Sequence, residues 1–223
     1  MPTPVSIEQH LVRIASLGRI DVVAEERDDV DVRGDAAVVH TGQTTTITSE
    51  SGRLAIRVPV GVDLVIGSTA GRIAVSGQIG RVSIVTESGR IAVERAESAD
   101  VRSGTGKIDI GHSDGDCRVR SQSGSVSVGS CHGADVATDS GRISLRSVRG
   151  RVNAHCTSGR IDIEMASAND VDAETVTGRI AVSLPREVRA FRTDVAAGVP
   201  APTGADCTVF ARSVTGRVDV GNR

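Results

Sequence analysis

A short phrase that recurs along the chain restricts its fold more than any other feature. It consists of Gly, then Arg, Lys or Ser, then two aliphatic residues with one residue between them, as in "SGRIAV" at residues 88–93. Most copies are separated by 17 to 19 residues, and an early copy begins at Gly18. This spacing is typical of proteins made of stacked structural repeats. The other copies have their glycines at Gly52, Gly71, Gly89, Gly106, Gly124, Gly141, Gly159, Gly178 and Gly216.

Apolar and polar positions alternate on both sides of each glycine, as they do in β-strands. In the copy around Gly141, Ala134 and Val136 precede the glycine by odd numbers of positions, whereas Ile143 and Leu145 follow it by even numbers. The apolar residues thus change from odd-numbered to even-numbered positions at the glycine. The chain must bend there to keep them all on the inner side, and glycine tolerates the φ angles of a sharp corner. Each copy therefore predicts one coil, made of a strand, a glycine corner, a second strand and a return.

Stacked coils of this kind form a β-solenoid. The sequence thus predicts an all-β solenoid of about ten coils with a period of 17 to 19 residues and parallel, in-register strands. Ser or Thr usually stands three positions before the glycine, which predicts a narrow interior where hydroxyls bond along the ladder or to corner amides.

The regular spacing divides the chain into three parts. Residues 1–50 keep strand character but lose the strict period, which predicts an N-terminal β cap continuous with the solenoid. Residues 51–198 hold the regular coils. Residues 199–223 comprise a Pro-containing loop, which must leave the sheet because proline cannot donate to a ladder, and a C-terminal coil.

These coils, together with the strand-rich N-terminal segment and the late Pro-containing loop, resemble the bacterial β-strand-repeat family of unknown function named putative adhesins. The resemblance extends from about residue 10 to the end of the chain. It implies a repetitive β fold, and the family offers no established catalytic residues that could be transferred to this sequence.

Composition gives a prediction of the compartment. The N-terminus shows no basic region followed by an apolar run of signal-peptide length, and no stretch is long enough to span a membrane. We therefore expect a cytoplasmic protein without a membrane span. The four cysteines lack the paired spacing of a disulfide framework or a zinc site, so the sequence predicts reduced thiols, no metal and no cofactor.

The sequence also argues against an enzyme. Residues 139–141 read Asp-Ser-Gly, half of an aspartic protease site, but no second copy of that motif exists to share the proton. An enzyme of the pectinase-like solenoid type would need clustered carboxylates on one outward face. The acidic position six residues before the glycine is instead interrupted, as where Arg118 stands between Asp100 and Asp135.

The position after the glycine carries the most regular surface feature, a column of cations. In a solenoid these side chains would form a row along the stack, with one charge about every 4.8 Å. This spacing could match a repeating anionic polymer. The alternative is a solvated ladder neutralised by Asp109, Asp162 and Asp219, and the absence of interleaved aromatic residues disfavours nucleic acid. The column comprises Arg19, Arg53, Arg72, Arg90, Lys107, Arg142, Arg160, Arg179 and Arg217, interrupted by Ser125.

Our leading hypothesis from the sequence is a non-enzymatic structural or interaction module, an adhesin-like scaffold that binds an unidentified protein or self-associates. Its end coils expose unpaired backbone groups, and such an edge adds strands from another chain unless it is covered. The C-terminal coil ends soon after its last corner, so we expect self-association through that coil. Polyanion binding by the cation column is the second hypothesis.

Overall fold

The structure is a computed structural model that describes residues 10–50, 52–186, 188, 191–194 and 207–222. These residues contain strands and connecting turns but no helix, so no described segment is a helix that could cross a membrane. The fourteen strands are β1 Leu11–Ser16, β2 Arg19–Glu25, β3 Asp31–Arg33, β4 Ala37–Thr41, β5 Thr44–Ser49, β6 Arg53–Pro59, β7 Asp63–Ser68, β8 Arg72–Ser113, β9 Cys117–Ser130, β10 Ala134–Val148, β11 Val152–Met165, β12 Val171–Leu184, β13 Phe191–Asp194 and β14 Cys207–Asn222.

The strands of successive coils pair in parallel and in register, which confirms the predicted solenoid. Between β10 and β11, for example, Gly141 pairs with Gly159 and Ile143 with Ile161, each equivalent in its own repeat. The paired strands form one sheet along the stack that is not closed, with ends at β13 and β4. Ten stacked glycine corners agree with the predicted number of coils.

The coil at Gly18 does not lie at the end of the stack. Strand β1 pairs with both β5 and β7, and β2 pairs with both β6 and β8. The first coil in sequence is therefore inserted between the coils of Gly52 and Gly71. Within residues 10–50, β1, β2 and β5 are therefore strands of the stack, and β3 and β4 pair antiparallel with it.

The two ends of the stack are covered to different extents. At the N-terminal end, β3 and β4 pair antiparallel with β6 and β5. At the other end β13 lies outside β14 and pairs with residues 207–210. Gly178 pairs directly with Gly216, so the long interval between them adds no whole coil. The residues of the expected excursion, 195–206, lie outside the described residues.

The core is a thin aliphatic column, because each coil contributes only a few inward side chains. Ile20, Ile108 and Ile143 are at most 1% exposed. The Ser and Thr column is mostly buried too. Most of its hydroxyls donate to the carbonyl two residues ahead in the same coil, as Thr138 does to Ser140 at 3.2 Å. Among the described residues, the two bonds that the sequence suggested occur only locally: Ser213 donates along the ladder to the carbonyl of Gly178 at 3.3 Å, and Ser16 accepts from the corner N–H of Gly18 at 3.2 Å.

Glycine at the corner is required by close stacking as well as by backbone conformation. Gly141 has a φ of 135°. A Cβ atom there would lie 1.8 Å from the carbonyl oxygen of Gly124 in the neighbouring coil. The corners can therefore stack at strand spacing only because they carry no side chain.

Candidate functional site

The cation column exists as one row along the second strands of the coils. Arg142 pairs with Arg160, Arg160 with Arg179 and Arg179 with Arg217. Ser125 interrupts the row beside Lys107. These side chains all face solvent, because they alternate with the buried aliphatic positions on the same strands.

Most of these cations are held in ion pairs with carboxylates two positions further along the strands. Asp21 accepts from both Arg19 and Arg53 at 2.9 Å. Arg179 reaches Asp219 in the next coil at 2.6 Å. The other pairs are Lys107 with Asp109 at 3.5 Å, Arg160 with Asp162 at 2.7 Å and Arg217 with Asp219 at 3.3 Å.

Three arginines of the column have no ion-pair partner among the described residues: Arg72, Arg90 and Arg142. In the coils of Arg72 and Arg90 the position that holds aspartate elsewhere is alanine, Ala74 and Ala92. Arg72 and Arg90 also belong to neighbouring coils, since the N–H of Arg90 donates to the carbonyl of Gly71 at 3.1 Å. Two of the three unneutralised charges are therefore on adjacent coils, both within β8.

A long furrow runs across the first strands, on the other side of the glycine corners. One section has a volume of about 800 Å³ and another of about 520 Å³, and they share Val85 and Thr86. Its wall carries both signs of charge, because Arg102 and Arg120 are followed by Asp139 and Glu174. Because both signs of charge line the furrow, its charges do not favour an anionic over a cationic ligand.

A second groove of about 730 Å³ lies at the start of the first strands. Its best-defined group is Asp135, which accepts from Arg120 at 2.7 Å and lies 3.3 Å from Arg118. The hydrogen bond from Arg120 holds the pKa of Asp135 below its ordinary value, partial burial opposes this shift, and the charge of Arg118 adds to it. A carboxylate fixed in this way is ionised and neutralised, so it is not a general acid.

A polar cluster whose hydrogen bonds the sequence did not specify lies at the end of the second strand of the Gly106 coil. His112 Nδ1 lies 2.5 Å from the Ser130 hydroxyl, and its Nε2 lies 2.9 Å from Asp114. This order of groups can activate a serine nucleophile. None of the three residues lines the furrow or the second groove, whereas catalytic groups usually lie in a concave substrate site.

The C-terminal coil has core positions that are only partly covered. In β12, Ile180 and Val182 are 0% and 2% exposed, whereas the residues paired with them in β14, Val218 and Val220, are only partly buried. Val214 on the same strand is 64% exposed. The last coil therefore presents apolar surface that the other coils bury.

Two solved structures align with this chain over most of its length. A crystal structure of a putative adhesin from Bacteroides fragilis NCTC 9343 is 14% identical, with a TM-score of 0.47 over 97% of this chain and 93% of that chain. A crystal structure of a putative cell adhesion protein from Clostridium sporogenes ATCC 15579 is 7% identical, with a TM-score of 0.24 over 96% and 93%. No curated protein sequence matches the chain.

The pattern of the Toastrack DUF4097 family, a family of unknown function, matches residues 41–198. This range covers more than half of the chain and includes most of the stacked coils. It also confirms the resemblance suggested by the repeated glycine phrase. The chain belongs to the Toastrack DUF4097 family.

Proposed function

We propose that the protein is a non-enzymatic scaffold of the adhesin-like type that self-associates through its C-terminal coil. The observation that carries this proposal is the partial burial of Val218 and Val220, at positions that are buried in β12. Covering these side chains with a second copy removes apolar surface from water, which is the main driving force for association.

The N-terminal end of the stack differs, because its exposed valines, Val38 and Val39, lie on the cap strand β4 and the core of its outermost coil is covered. Leu54 and Ile56 in its outermost coil are 0% and 1% exposed, because Val30 and Val32 from the cap pack against the core. Two copies would therefore meet through the same C-terminal end. A contact between identical surfaces closes into a dimer instead of growing into a filament.

Backbone hydrogen bonds would support this dimer. The N–H of the residue after each glycine donates to the neighbouring coil on the N-terminal side of the stack, as that of Arg19 does to Gly52 at 3.1 Å. Because the direction alternates along a strand, the N–H groups of Gly216, Val218 and Val220 point away from the stack at its C-terminal end. No described residue pairs with that side of β14 beyond Phe210. Antiparallel pairing centred on Val218 places Arg217 opposite Asp219 of the partner subunit, a favourable cross-strand charge pair.

The test is a concentration series by analytical ultracentrifugation. The full chain should dimerise, and Val218→Lys should abolish the dimer because pairing centred on this position would bring the two lysines directly opposite each other. Val176→Lys, at a lateral position that is 48% exposed, is the matched control and should leave the dimer intact. A wild-type monomer at every concentration, or equal effects of the two substitutions, would refute the proposal.

Polyanion binding is the second candidate, and the absence of described ion-pair partners for Arg72 and Arg90 favours it. Binding should depend steeply on salt, since each neutralised anionic group releases a counterion. Replacing Arg72 and Arg90 by Ser should remove most heparin binding at low salt. Replacing Arg160 and Arg179 by Ser should remove less, because their charges are already neutralised. Equal losses in the two double variants, or no binding by the wild type, would exclude this function.

A further inference from the structure

The two ends of one coil each carry a buried cysteine. Cys117 lies seven residues before Gly124 and Cys131 lies seven residues after it. Both side chains are 0% exposed, and the two thiols are close enough to shift each other's pKa. All four cysteines of the chain are free thiols in this structure.

Packing alone does not require sulfur at these two positions. In the neighbouring coils, Ala99 and Ala134 pair with Cys117. Val148 pairs with Cys131 on one side. On the other side, the pairing of His112 with Ser130 places Ser113 beside Cys131. Small or aliphatic residues therefore fill these sites in the adjacent coils, and only the Gly124 coil among these three has sulfur at both ends.

The backbone holds the start and the return of this coil in defined positions. The N–H of Cys117 donates to the carbonyl of Gly133 at 2.9 Å, and the N–H of His132 donates to the carbonyl of Gly115 at 3.1 Å. These bonds join residues next to one cysteine to residues next to the other. The thiol contact is thus fixed by the ladder and does not depend on a flexible loop.

We propose that Cys117 and Cys131 are a cross-linking site, at which a disulfide closes the Gly124 coil covalently when the protein meets a low-molecular-weight disulfide oxidant. In the first step the Cys117 thiolate attacks one sulfur of the oxidant and releases one thiolate. In the second step the deprotonated Cys131 attacks the Cys117 sulfur and releases the second thiolate. Two protein thiols are oxidised, the oxidant is reduced to two thiols, and the two protons pass to the released thiolates.

The environment of the pair supports this order of attack. The hydrogen bond from the Cys131 thiol lowers the pKa of Cys117, against the effect of burial. The same bond, together with burial, raises the pKa of Cys131 far above its ordinary value. Cys117 is therefore the thiol that ionises first, and the thiolate is the attacking species.

Burial controls the rate of the reaction. The oxidant reaches the sulfurs only when the coil opens locally, so oxidation should be slower than for an exposed thiol. In a reducing compartment the pair stays as two thiols. The proposal is thus independent of the predicted cytoplasmic location, because it concerns the response of the folded chain to an oxidant.

The experiment uses the full chain, incubated without denaturant with oxidised glutathione. The intact mass should fall by two hydrogens without a lasting glutathione adduct. Trypsin cuts after Lys107, Arg118, Arg120 and Arg142, so residues 108–118 and 121–142 carry one cysteine each. These two peptides should appear linked and should separate on reduction.

A variant with Cys156→Ser and Cys207→Ser keeps only the pair and should form the same link. The oxidised chain should melt about 6–12 °C higher than the reduced chain, from the loop-closure effect of a short cross-link and the usual response of a domain of this size. A pair that remains fully alkylatable after incubation would overturn the proposal, as would a stable glutathione adduct on Cys117. A lower melting temperature after cross-linking would also overturn it, since the disulfide would then distort the coil.

Discussion

Replacing Gly141 by Ala tests the close stacking of the glycine corners. A Cβ atom at Gly141 would lie 1.8 Å from the carbonyl oxygen of Gly124, whereas ordinary contacts between such atoms are about 3.5 Å. The oxygen belongs to a backbone that is fixed in the ladder, so it cannot rotate away as the end of a flexible side chain could. The two coils must separate around the corner.

The cost of this substitution has two parts. The positive φ of 135° is unfavourable for alanine by about 1–3 kcal/mol. Separating the coils also weakens roughly three ladder hydrogen bonds, at about 1 kcal/mol each. We therefore expect a loss of about 4–6 kcal/mol in unfolding free energy, which lowers the melting temperature by about 8–24 °C for a domain of this size.

Two other glycines separate the contributions to that cost. Gly61 has a φ of 76°, and a Cβ atom added to it would meet no other atom within 4 Å, so Gly61→Ala should show the conformational cost alone. Gly221 has neither feature, so Gly221→Ala should be nearly neutral. Urea unfolding followed by circular dichroism measures all three variants. If Gly141→Ala were no more destabilising than Gly61→Ala, the close contact between corners would be refuted.

Two further predictions concern the core and the charged grooves. Ile143→Asp places an unpaired charge at a position that is 0% exposed and should lower the free energy of unfolding by several kcal/mol. Asp139→Asn, at an exposed position, should change the urea midpoint little. Equal effects would mean that the inward and outward faces are assigned incorrectly. Because Arg120 lowers the pKa of Asp135, this carboxylate stabilises the fold fully above its unfolded pKa of about 4, and the stabilisation is lost as pH falls through the lower folded pKa. Thermal melts across that range should therefore show a smaller loss for Asp135→Asn than for the wild type, and identical acid profiles would contradict the role of the Arg120 contact.

The sequence was sufficient for the parts of the fold that depend on local pattern. Alternation around each glycine identified the inward positions, including Val136 and Ile143, and the repeat period placed equivalent residues on neighbouring strands. The row of cations follows from the same register. The repeat spacing and the alternation of apolar residues are enough to predict this register, because each coil contacts mainly its two neighbours.

The order of the first coils could not be read in the same way. The segment after Gly18 has the same apolar pattern as those after Gly52 and Gly71, so it fits beside either of them. Alternation specifies which side of a strand is buried, but it does not specify which strand is the neighbour. The insertion of β1 and β2 between later coils is a property of the whole stack.

The sequence also missed the contacts that depend on closure of a coil. Cys117 and Cys131 occupy different positions of the repeat, and their spacing matches no familiar disulfide or metal motif. Only the return of the chain to the start of its own coil brings them together. The His112 cluster differs, because the repeat period does place His112 and Ser130 side by side, six positions after their glycines, but it does not specify the bond between their side chains.

The departures from sequential stacking explain why the two ends of the solenoid differ. At the N-terminal end the chain turns back twice, so that β3 pairs with β6 and β4 with β5, and both halves of the outermost coil gain a partner. At the C-terminal end β13 pairs only with the first four residues of β14. The glycine corner and second half of that coil have no described strand on their outer side, and the partly buried Val218 and Val220 lie there. An edge that no described strand covers and incompletely buried core residues thus coincide on one half-coil, which is the combination that favours pairing with another chain.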